Sequence, residues 1–156
     1  MSERQRILDV LDRAYRAKAW HGPALMETLA GVGPALAARH VRRGVHSVWE
    51  LVEHIASWNE IVAERLEGRS PKVTPAYNFP PVPRATPAAW LATRRRLTRS
   101  QARFRGAVAR FPIARIGRRR PKVDHTWNVL IQGQIQHQLY HAGQIAMLRR
   151  AFGKPV

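Results

Sequence analysis

Trp90, Leu97, Phe104 and Phe111 recur every seven residues, with Val108 beside them, in a stretch that opens on Thr86-Pro87 and closes on Pro112. A threonine hydroxyl before a proline at the first helical position is a strong start: the hydroxyl satisfies a first-turn amide, and proline has no amide to satisfy. The stretch predicts one long helix with a narrow apolar stripe that has to be buried against other helices. Six of the eleven prolines, Pro71, Pro75, Pro80, Pro81, Pro83 and Pro87, fall between Gly68 and the start of that helix. They remove amide donors and fix φ, so this segment reads as a long extended crossover rather than another helix.

Three further helices follow from pattern and caps. Glu3 to about Ala19 places Ile7, Leu11, Ala14 and Tyr15 at helical spacing until Trp20-His21-Gly22-Pro23 interrupts. A short helical stretch around Leu25, Met26 and Leu29 and a loop-like segment to Gly44 and His46 form a connector over one bundle end. Ser47 followed by Glu50 is a capping box that opens the second long helix, and Gly68 is its stop. A basic linker from Arg115 to Lys122 leads to Asp124 or Thr126 as alternative caps of a last helix running towards Gly153. No internal repeat and no sustained strand-period segment is present. The fold class read from this is all-α: a four-helix bundle occupying residues 1–156 as a single domain, with the Pro-rich crossover between its second and third helices.

Apolar residues make up 45% of the chain, too many for a disordered basic tail. The absence of Cys removes disulfides, thiolate nucleophiles and Cys-type zinc sites, so any metal must be held by His or carboxylate. The charged start and the lack of any run near ~18 apolar residues place the expectation on a cytoplasmic chain with no membrane span.

In the last helix Leu130, Gln134, His137, His141, Gln144 and Leu148 step by four and three, so they share one bundle-facing seam. Leucines close its ends, but its middle is polar, and buried polar groups without partners cost about 1–3 kcal/mol each. Leu51, His54, Trp58 and Ile61 make the matching seam on the second helix, with His54 as its polar member. His137 and His141, four apart, can grip one divalent ion, and His54 from a facing helix completes three nitrogen ligands with positions left open for water or substrate. The structural alternative is that all three are satisfied core histidines. His21, His40, His46 and His125 lie in connectors or near caps and are read as surface or structural residues, with His46 close to a bundle end.

His137-Gln138-Leu139-Tyr140-His141 has the spacing of a zinc-protease helix, but Gln138 stands where that motif needs its glutamate base, which disfavours peptidase chemistry. There is no Gly-rich phosphate loop, no nucleophile elbow and no close carboxylate pair; Glu50, Glu53 and Glu60 read as cap and solvent-facing residues. Gln134 and Gln144 are candidates to orient bound water or substrate, or else to fix helix register, and as amides they are not bases.

Ala19-Trp20-His21-Gly22-Pro23, the run from His46 to Trp58 and the run Gln136-His137-Gln138-Leu139-Tyr140-His141-Ala142-Gly143-Gln144-Ile145 together resemble the DinB/YfiT-like family. The resemblance implies a four-helix bundle, often a homodimer, with a divalent metal on His54, His137 and His141. Zinc and nickel lead, with manganese and iron as alternatives. It also implies one of two activities. The first is transfer of a low-molecular-weight thiol such as bacillithiol or mycothiol to a small electrophilic substrate. The second is metal-dependent hydrolysis.

The net charge is +17, and the interval from Glu67 to Asp124 holds fifteen Lys+Arg and no acid. On the third helix Arg95, Arg96, Arg99, Arg103 and Arg110 fall opposite the apolar stripe and predict a continuous basic face. That face supports a rival reading, a non-catalytic DNA- or RNA-associated or dimeric structural protein. It lacks interleaved aromatics and any recognised nucleic-acid motif, so such binding would be salt-sensitive and sequence-poor.

Overall fold

The computed structural model describes residues 1–154 and 156. Helices α1 (Glu3–Tyr15), α4 (Val48–Leu66), α6 (Pro87–Arg110) and α7 (Trp127–Ala151) form the bundle. Short helices α2 (Leu25–Thr28), α3 (Pro34–Ala38) and α5 (Pro75–Asn78) and a 3-10 turn (Ile113–Arg115) lie in the connections. Among the described residues the only strand-like pairing is an isolated bridge between Arg119 and Thr126. Among the described residues no helix is long and apolar enough to cross a membrane.

The capping chemistry sets the helix starts. Ser47 Oγ accepts from the Glu50 amide at 3.2 Å while the Ser47 amide donates to Glu50 Oε2 at 2.6 Å. Thr86 Oγ1 caps α6, and Thr126, not Asp124, caps α7; Asp124 instead pairs with exposed Arg119. Helix α1 ends at Tyr15, short of Ala19, because Lys18 adopts a left-handed φ of 64° that helical geometry does not allow. Two short helices interrupt segments expected to be irregular. Gly33-Pro34 starts α3, and Thr74-Pro75 starts α5 inside the proline-rich crossover, by the same hydroxyl-then-proline logic that starts α6.

Two apolar clusters occupy the ends of the bundle. One gathers Leu25, Leu29, Trp49, Ile55, Trp90, Leu97 and Ile145; the other gathers Ile7, Leu11, Phe104, Phe111, Trp127, Ile131 and Ile135. Between them lies a polar layer. Asn59 Oδ1 accepts from Gln134 Nε2 at 2.8 Å and from Gln138 Nε2 at 2.7 Å, while Asn59 Nδ2 donates to Gln101 Oε1 at 3.2 Å. One side chain of α4 thus links α6 and α7, and Gln138, fully buried, also donates to Gln101 at 2.7 Å.

The acidic and basic residues are also arranged differently from the sequence expectation. Glu53 is not solvent-facing: it is 7% exposed and accepts from Thr93 and Arg96. Arg96 in turn reaches Glu60 at 2.7 Å and Ser57 at 3.1 Å, and Arg103 reaches Glu67 at 3.0 Å. The basic face is therefore not continuous, because Glu53, Glu60 and Glu64 of α4 and Glu67 at its C-terminal cap neutralise Arg96 and Arg103. Arg95, Arg99 and Arg110 remain exposed.

Replacing Asn59 by Ala strands two buried amide donors. Urea unfolding is expected to show a loss of about 3 kcal/mol with an unchanged m value, against at most about 0.5 kcal/mol for exposed Arg99→Ala.

Candidate metal centre

His54 sits on the second turn of α4, and His137 and His141 sit one turn apart on α7. Where these helices pack, the imidazoles converge edge to face: the His54 ring lies 4.9 Å from the His137 ring, and His137 lies 4.4 Å from His141. His137 Nε2 stands 3.0 Å from His54 Nε2 and 2.9 Å from His141 Nε2, and the three groups can hold a metal ion. The two seams read from the sequence are thus brought together, and all three histidines meet.

The outer nitrogens decide the proton positions. The Asn78 carbonyl can only accept, so His54 Nδ1 carries a proton and donates it at 2.7 Å. His141 Nδ1 donates to Gln144 Oε1 at 2.6 Å. In the neutral rings both Nε2 atoms are therefore lone pairs aimed at His137 Nε2. A proton on His137 Nε2 could serve only one of them and would leave its buried, partnerless Nδ1 without a hydrogen as well. In either tautomer of His137 at least one inward lone pair is left without a donor about 3 Å from its neighbour, a contact that a cation between the nitrogens relieves. Imidazoles on a tetrahedral ion with metal–nitrogen bonds of about 2.0–2.1 Å stand about 3.3 Å apart, so the observed spacing needs only a slight opening.

Burial keeps the rings neutral. It pushes His54 down to about 4, partly countered by the Asn78 bond, and His137 down to about 3, with the neighbouring rings adding to the effect. His141 is lowered by the same burial. Neutral imidazole is the metal-binding form, so at pH 7 no proton has to be displaced.

The surroundings hold residues that helical spacing alone does not reveal. Phe79 stacks on His54 at 4.0 Å on one side and on His46 at 4.1 Å on the other. Asn78 uses its carbonyl for His54 and its side chain for Trp58, whose Nε1 donates to Oδ1 at 2.8 Å. Both residues end the short helix in the crossover, where Thr74-Pro75 is the one local signal of their placement. Of the two glutamine candidates, Gln144 orients His141, whereas Gln134 spends its amide on Asn59 and fixes register. Glu50 stays in its cap, 3.6 Å from His46, and does not reach the three histidines.

A cleft of about 670 Å³ opens beside the histidines, walled by Trp58, Val62, Val129 and Leu130, with Arg65 among its lining residues. No carboxylate lines it.

The depressed histidines set an acid limit. In the unfolded chain these groups bind protons near 6.5, and in the fold they do so only near 4 and 3, so the unfolded state takes up more protons between those values. The metal-free protein is expected to hold full stability above about pH 6.5 and to lose it progressively down to about pH 3. His54→Ala/His137→Ala should flatten that slope in thermal melts taken across the range.

No curated protein and no solved structure shows significant similarity to the chain. A family model, the DinB superfamily, matches residues 18–145, a span that holds all three histidines, α4 and α6 entire and most of α7. The chain belongs to the DinB superfamily.

Proposed function

We propose that the protein is a metal-dependent enzyme that joins an external low-molecular-weight thiol to an electrophilic substrate, with His54, His137 and His141 holding one divalent cation. The observation that carries this reading is the convergence of three Nε2 atoms whose outer nitrogens are fixed by Asn78 and Gln144 or buried without a partner. Three neutral imidazoles suit zinc, nickel and iron comparably, and zinc or nickel is the proposed ion.

A cation at that point would supply Lewis acidity and lower the pKa of a thiol or water reaching an open position. The chain's own residues do the rest. Asn78 and Gln144 keep the lone pairs of His54 and His141 directed inward, and Phe79 and Trp58 cover the His54 ring. Single-metal hydrolysis calls for a base to take the proton of water, and zinc proteases provide a glutamate for it. Here the cleft has no carboxylate, and Gln138, at the position of that glutamate, is fully buried in the Asn59 network. A thiol gives up its proton far more readily, and this favours transfer over hydrolysis. The chain has no Cys, so the thiol is a co-substrate.

Metal-loaded protein is expected to accelerate consumption of a small thiol by a haloalkyl electrophile, and His137→Ala should return the rate to that of metal-stripped protein. Replacing Arg95, Arg99 and Arg103 together should leave the rate unchanged. A rate that persists in His137→Ala, or ester hydrolysis without thiol transfer, would sink this assignment. Gln144→Leu removes the acceptor behind His141 and is expected to weaken metal affinity about 10–100-fold in a competition titration.

A further inference from the structure

We infer that the cleft beside the three histidines takes an organic oxyanion, a substrate with an apolar body and a terminal carboxylate or phosphate, and that Arg65 holds its charged end. The inference rests on the reading of the histidines as the reacting centre.

Arg65 is placed by the same helix face that carries the site. His54, Trp58, Val62 and Arg65 step by four, four and three along α4, so they line one wall of the cleft in that order. The Arg65 guanidinium lies 5.6 Å from the Trp58 ring centre, and that ring lies 5.8 Å from the His137 ring. The charge and the imidazoles are therefore separated by one indole, a distance that a small organic molecule can bridge.

Arg65 also lacks a charge partner. The acids of its own helix are committed elsewhere, Glu60 to Arg96 and Glu64 to Arg103 and Arg69. Among the described residues no carboxylate lies within ion-pair distance of Arg65, although seven other arginines have one. A second guanidinium, Arg120, whose pKa is lowered first by its burial and then by the Arg65 charge, has a buried Nε with no hydrogen-bond partner and meets His125 of the cleft wall through its terminal nitrogen. A guanidinium in an acid-free cleft, with a second cation near it, has no counter-charge there, and an oxyanion supplies one. The apolar walls, Trp58, Val62, Val129 and Leu130, suit the remainder of such a molecule.

The test is calorimetric titration of the full chain, metal-loaded and metal-free, with 3-phenylpropionate, 2-phenylethyl phosphate and the neutral 3-phenylpropionamide. Both anions are expected to bind more tightly than the amide, and the stronger of the two identifies the natural headgroup. Arg65→Met should weaken the anions at least about tenfold and leave the amide unchanged, because a charged hydrogen-bond pair is lost. Arg65→Lys keeps the charge and should recover part of the affinity, which separates loss of charge from misfolding. Arg95→Met, an exposed charge on α6, should change nothing. The proposal is overturned if no anion binds, if anions and amide bind alike, or if Arg95→Met matches Arg65→Met. It is also overturned if the preference for anions survives in Arg65→Met and disappears with the metal. A chain that takes up no metal but keeps the Arg65-dependent preference would contradict the metal reading alone.

Discussion

Two hydrogen bonds made by Nδ1 atoms, His54 to the Asn78 carbonyl and His141 to Gln144, determine what the centre of this bundle can do. A neutral imidazole has one proton, and once it is spent on the outside the inner nitrogen is a lone pair. Burial then removes the alternative of a second proton, since it disfavours imidazolium in all three rings. What remains is two inward lone pairs that both meet His137 Nε2 at about 3 Å, more than one proton there can serve, which is unfavourable without a cation and favourable with one. The two anchoring acceptors come from different places: Gln144 from the helix that carries His141, and Asn78 from a connection between helices.

A polar centre of this kind needs helices that do not slide. The two apolar clusters supply burial at either end, but apolar packing tolerates small shifts in register, whereas a hydrogen-bond network with directional partners does not. Asn59 answers that need by binding Gln134 and Gln138 of α7 and Gln101 of α6. Glu53 and Arg96 do the same one and a half turns away, with Thr93 bridging to the Trp49 indole, whose Nε1 donates to it at 2.9 Å. Register fixed at Asn59 and Glu53 places His54 against His137 without any adjustment by the loops.

The helices and the three histidines were legible because both are written in local periodicity. The stripe through Trp90, Leu97 and Phe104 is buried as the spacing predicts, and the seams through His54 and through His137 and His141 meet. Less legible was everything set by contacts between segments distant in sequence. Glu53 looks like any other acid near a helix start until α6 brings Arg96 to it, and the basic face read from α6 alone ignores the carboxylates of α4. Gln134 and Gln144 share one seam of α7, yet Gln134 meets Asn59 of α4 across the bundle while Gln144 turns back to His141 on its own helix. The placement of Asn78 depends on the path of a proline-rich crossover, where periodicity carries no information; the Thr74-Pro75 start is the part of it that sequence does record.

The charge distribution completes the account. Arg96 and Arg103 of α6 are paired with carboxylates of α4 and its C-terminal cap and Arg105 with Asp12 of α1, whereas Arg65 lines the cleft with no carboxylate within ion-pair distance, so a cation without a counter-charge stands beside the histidines. The most direct test of the central claim is metal content per chain by mass spectrometry, in protein purified without chelator and then offered zinc or nickel, beside His54→Ala/His137→Ala. The account predicts close to one divalent ion per wild-type chain and its loss in the double variant; equal metal content in the two proteins, or none taken up by the wild type, would contradict it.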